Sequence, residues 1–62
     1  MKYKVIADGV NMAESISASK ALNLVIGILQ GYLKSEILTV EVFYLNSRKE
    51  WVKENQFTIG RL

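Results

Sequence analysis

Cysteine, histidine and proline are all missing from this chain of 62 residues. Without cysteine there is no disulfide and no thiolate metal site. Without histidine the commonest neutral metal ligand is gone, together with the side chain best suited to proton transfer near neutral pH. Common nucleophile–base pairs draw on histidine or cysteine, or on a lysine or carboxylate held in a pocket. Six carboxylates remain: Asp8, Glu14, Glu36, Glu41, Glu50 and Glu54. Asp8 belongs to a turn, and Glu50 and Glu54 stand among Arg48, Lys49 and Lys53 as solvated ion pairs would. Two carboxylates in a cleft could act on a sugar, but so short a chain has little cleft to offer. The expectation is a protein that is not an enzyme and carries no cofactor and no metal.

Long apolar runs are absent as well. The longest, residues 21–33, is interrupted by Asn23 and Gln30 and falls short of the roughly 20 residues that cross a bilayer. Met1-Lys2-Tyr3-Lys4 leads into a short alternating segment, not the apolar core of a secretory signal. No membrane partner is expected, and the cytoplasm is the default compartment. Glycine is sparse, and Gly9, Gly27, Gly31 and Gly60 are too dispersed for a phosphate-binding loop. Charge of one sign is also lacking. Eight basic and six acidic residues leave a net charge of +2, which permits an acidic partner without specifying one.

What remains is apolar: hydrophobic residues make up 50% of the chain. A domain this small is marginal unless disulfides, a metal or a partner subunit support it. With the first two excluded, self-association is the support left.

Along the chain, Asp8-Gly9 suits the positive φ angles of a type I′ turn and predicts a hairpin over residues 2–15. Its register would set Ala7 opposite Val10, Ile6 opposite Asn11, Val5 opposite Met12, Lys4 opposite Ala13 and Tyr3 opposite Glu14. One face would then carry Tyr3, Val5, Ala7, Val10 and Met12. The alternative is a single strand and a loop, with a helix starting as early as Met12. Ser17 is a plausible N-cap for a helix over residues 18–34, where Lys34 suits the negative end of the dipole. Its apolar residues fill an arc of roughly 200°, about twice the minimal stripe of a surface helix. One small sheet cannot cover so wide an arc. Residues 37–45 are rich in β-branched and aromatic side chains and form the strongest strand candidate. After a polar turn over 46–49, one or two further strands are expected around Trp51-Val52 and Phe57-Thr58-Ile59. The sum is a single α+β domain spanning residues 1–62. It has two layers: an N-terminal β-hairpin, one long helix, then two to three C-terminal strands in a mainly antiparallel sheet.

Three surfaces are candidates for function. Ile6, Ile37, Phe43 and Leu45 share the sheet face away from the helix, and apolar patches of that kind mark interaction surfaces. Gly27 and Gly31, four apart on the polar side of the helix, would let a second copy or a target approach closely; plain tolerance, or packing on a neighbouring loop, explains them equally well. The segment Arg48-Lys49-Glu50-Trp51-Val52-Lys53 interleaves base and aromatic, as a stacking and phosphate-tracking surface would. Lys2, Lys4 and Arg61 would extend it if the terminal strands lie nearby. A solvated turn with Trp51 packed into the core is the plainer reading, since two glutamates weaken the field.

The order of elements resembles dodecin-like and other small oligomeric proteins, without a motif shared residue by residue. The size and the lack of cysteine resemble small phage and mobile-element proteins, which implies an inhibitor or adaptor of host machinery. The leading expectation is a module that binds itself, as a dimer or larger, and a protein target. Nucleic acid is the first alternative partner. A small ligand held between subunits by Tyr32, Tyr44 or Trp51 is the second.

Overall fold

A computed structural model describes residues 1–31 and 38–59. The elements are β1 (Tyr3–Ala7), β2 (Val10–Ile16), α1 (Ala18–Gln30), β3 (Leu38–Leu45) and β4 (Trp51–Ile59). They form the expected α+β arrangement of hairpin, helix and two strands. The four strands make one sheet in the order β2-β1-β3-β4, with every neighbouring pair antiparallel. Among the described residues no helix is long and apolar enough to cross a membrane.

Local chemistry sets each boundary. Asp8 and Gly9 have φ of 50° and 79°, the pair of positive angles that a type I′ turn requires. Ser17 has extended backbone, and its Oγ accepts from the amide of Lys20 at 3.3 Å, which satisfies a free first-turn donor. At the other end Gly31 donates its amide to the Gly27 carbonyl at 3.0 Å. The helix ends at Gln30 with Gly31 as its cap; the rest of the expected range, through Lys34, lies outside the described residues. The β3–β4 turn is built on Asn46, whose Oδ1 accepts from the amides of Arg48 at 3.0 Å and Glu50 at 2.9 Å. Lys49 completes the turn with φ of 62°.

The hairpin register departs from the expected one beyond the turn. Ala7 faces Val10 and Ile6 faces Asn11, but Val5 faces Ala13 and Tyr3 faces Ile16. Two irregularities in β2 absorb the difference, and Ser15 takes φ of 60° close to the second. Each extra residue in a bulge turns the side chains that follow to the other face. The outcome is that Ile16 packs on the core while Met12, expected to point inward, is exposed. Val10 is exposed as well. Ile16, the last residue of β2, thus packs against the core cluster shortly before α1 begins.

The C-terminal region is one continuous strand. A further irregularity sets Phe43 opposite Lys53 and Val42 opposite Asn55, with Glu54 as the extra residue.

In register, Val5 pairs with Val42 and Ala7 with Val40, so these four share the inner face. α1 lies over that face at β1 and β2. The core cluster is Val5, Ala7, Ala21, Val25 and Val40, with Tyr3, Ile16, Leu24, Ile28, Leu29 and Val42 packed against it. Among the described residues the buried core is three valines and two alanines. At about 1.5–3 kcal/mol for each fully buried larger apolar side chain, the valines supply most of its hydrophobic stabilisation.

Candidate functional site

The sheet has two faces with different chemistry. On the outer face Lys4 pairs with Phe43 across β1 and β3, and Leu45 pairs with Trp51 across β3 and β4. Phe43 and Trp51 are thereby diagonal neighbours on adjacent strands, a spacing at which aromatic side chains reach one another. The Lys4 ammonium sits 5.0 Å from the centre of the Phe43 ring and 4.9 Å from that of Trp51. Both distances fall within the range of cation–π attraction. Trp51 is therefore not a core residue: it stands half-buried on the outer face with its ring against Lys4.

Strand alternation places Ile6, Glu41, Phe43 and Leu45 on this same face. Two candidate surfaces, the apolar patch and the basic–aromatic segment, are thus one surface. Ile37 and Arg61 lie outside the described residues, as does Tyr32. Lys2 is exposed next to the cluster, its carbonyl accepting from the Leu45 amide at 2.9 Å. Arg48 and Lys49 project from the adjacent β3–β4 turn and are exposed.

The acidic residues of this region are spoken for. Glu41 pairs with Lys53 at 2.8 Å, and Lys53 also donates to Gln56 at 2.8 Å. Glu50 accepts from the Asn46 side chain at 3.2 Å. Glu54 is carried by the strand irregularity to the other side of the sheet. Of the two glutamates expected to weaken the basic cluster, Glu54 is turned away from it, whereas Glu50 keeps its charge in the turn with the Asn46 side-chain amide as its partner.

On the inner face, α1 leaves β4 and part of β3 open. The result is a groove of about 280 Å³ between α1 and β4. Ala18, Ala21, Leu22 and Val25 form its helix wall, Tyr3 and Val42 its floor, and Glu54, Asn55 and Phe57 its far side. Leu22 is 60% exposed, Ile26 43% and Phe57 37%. The wide apolar arc of the helix is thus only half covered: Ala21 and Val25 are buried, while Leu22 and Ile26 face outward. Sequence reasoning named neither Phe57 nor Leu22 as a site residue. The signal was the arc itself, which was wider than one sheet could cover.

The glycines behave differently from one another. A methyl group added at Gly27 would meet nothing within 4 Å, whereas one at Gly31 would meet the Gly27 carbonyl oxygen at 3.5 Å. Gly31 is the helix cap. Gly27 is exposed on the helix, turned away from the groove. Tyr44, a candidate for ligand stacking, pairs with Tyr3 and Val52 and is half-buried.

Comparison with known protein families, curated proteins and solved structures finds no match to this chain.

Proposed function

We propose that this protein is a non-enzymatic binding module that associates with copies of itself through the α1–β4 groove and engages a macromolecular partner with its outer face. The observation that carries the reading is the open groove flanked by exposed Leu22 and Ile26 on one helix edge and Phe57 on β4. Apolar surface left in water next to an apolar concavity is what a two-fold contact consumes, because the same patch on two copies is complementary to itself. A core that among the described residues comprises three valines and two alanines, with neither disulfide nor histidine to assist it, gives such burial a stabilising role. An assembly of this kind leaves the outer sheet face free, since it lies on the opposite side of the sheet.

Light scattering on the size-exclusion peak tests the reading directly. The expected mass is a dimer or larger, and Leu22→Gln combined with Phe57→Ser should shift it to a monomer without changing the far-ultraviolet circular dichroism. A monomeric mass for the unaltered protein up to its solubility limit would overturn it.

A further inference from the structure

We infer that the outer face is a binding site for single-stranded nucleic acid, with Phe43 and Trp51 as the stacking platform and Lys2, Lys4, Arg48 and Lys49 as phosphate contacts. The inference rests on the binding-module reading and names its partner. Two aromatic side chains on adjacent strands of an uncovered sheet face offer flat apolar surface at the spacing of neighbouring unpaired bases, which stack on such rings irrespective of sequence. Phosphates must be met by cations at the same place. Five of the six lysines and arginines among the described residues lie just before or at the start of β1, in the β3–β4 turn or on the first half of β4. Only Lys20 lies elsewhere, on α1.

Charge complementarity survives the nearby acids. Glu41 is neutralised by Lys53 at 2.8 Å, and Glu54 lines the groove on the opposite face. Glu50, bonded to the Asn46 side-chain amide, keeps its charge beside the turn, so the surface retains an excess of positive charge. Four cations are left without a carboxylate partner among the described residues. Lys4 has a double use. In the free protein its ammonium covers the two rings at about the same distance from each. A base entering the platform displaces it, and the freed ammonium then lies within reach of the phosphate attached to that base. Duplex nucleic acid fits less well, because its bases are already stacked and cannot reach the rings.

The test is fluorescence anisotropy of labelled dodecamers of thymidine and of uridine, with a duplex of equal length beside them. Trp51 is the sole tryptophan, so quenching of its emission reports stacking in the same titration. The single strands should bind at about 50 mM salt and weaken about fiftyfold at about 200 mM, the loss expected for four phosphate contacts on a single strand. Trp51→Ala and Phe43→Leu should each weaken binding about tenfold. Lys4→Gln, which leaves both rings in place, should lower affinity and flatten the salt dependence. The inference is overturned by no binding of either single strand at the lower salt, by equal affinity for the duplex, or by affinities unchanged in Phe43→Leu and Lys4→Gln. Light scattering on the same samples separates the two levels. A monomer that binds the strands defeats self-association alone, and an oligomer that ignores them defeats the nucleic-acid site alone.

Discussion

Asp8 and Thr39 are joined by two reciprocal hydrogen bonds. The Asp8 amide donates to the Thr39 carbonyl at 2.8 Å, and the Thr39 amide donates to Asp8 Oδ1 at 2.9 Å. A turn residue of the hairpin thus fastens the tip of β1 to the start of β3, across 31 positions of sequence. The carboxylate takes the place of a strand carbonyl that the turn has carried out of line. Asp8→Ala keeps the backbone bond and removes the other, leaving an amide at a strand end without its charged acceptor. A loss of about 1 kcal/mol is expected, read as a fall in melting temperature of about 4–8 °C for a domain of this size. Asp8→Asn should recover part of it, since an amide oxygen still accepts.

Two glycines give opposite expectations. Gly9 has φ of 79° with open space around it, so Gly9→Ala meets no clash and suffers only the cost of the left-handed backbone, about 1–2 kcal/mol. Gly27 is also surrounded by open space but sits within α1. There alanine removes the entropic penalty of glycine and should stabilise by about 1 kcal/mol. Urea midpoints of the two variants should move in opposite directions. An unchanged solution mass for Gly27→Ala would place the subunit contact on the groove side of the helix; a lower mass would place it on the glycine side.

The extent to which the fold could be read from sequence follows from how local each determinant is. Asp8-Gly9, Ser17 and the β-branched and aromatic run over 37–45 act within a few residues, and among the described residues each set its element where expected. The bulges in β2 and β4 respond to long-range needs: Ile16 must reach the core under α1, and Glu54 must leave a face already occupied by Lys53. Nothing within either strand announces those shifts. The site divided in the same way. Its residue types were visible, with Phe43 in one strand and Trp51 and Lys53 in another segment. Lys4 could be named only as a conditional extension, because its place beside them depends on the pairing of β1 with β3, a contact some 40 residues long in sequence. The groove could not be foreseen as a location, because the uncovered part of the helix arc depends on which strands α1 crosses.

Val40 probes how little core there is. It is fully buried on β3, opposite Ala7 and Phe57. Val40→Ala removes two methyl groups from the centre of a five-residue cluster, at a cost of about 2 kcal/mol by the usual large-to-small scale. Domains of this size rarely gain more than about 3–5 kcal/mol from one core. The variant should therefore unfold measurably at low protein concentration and regain order as concentration rises, because association favours the folded state by mass action. A melting temperature independent of concentration would show that assembly does not share in the stability.

Lys49 occupies a position that glycine would fill more easily. Its φ of 62° closes the β3–β4 turn, and a side chain in that region costs about 1 kcal/mol or more relative to glycine. The turn does not need lysine for its bonds, since the Lys49 amide donates to the Asn46 carbonyl at 3.0 Å through the backbone. Lys49→Gly should accordingly raise stability by about 1 kcal/mol, seen as a higher urea midpoint. If the side chain is retained for its charge, the same variant must lose one phosphate contact. The slope of log affinity against log salt for the single-stranded dodecamer should then fall in magnitude by about 0.7. A stabilised variant with an unchanged slope would exclude Lys49 from the binding surface and confine it to Lys2, Lys4 and Arg48 around the two rings.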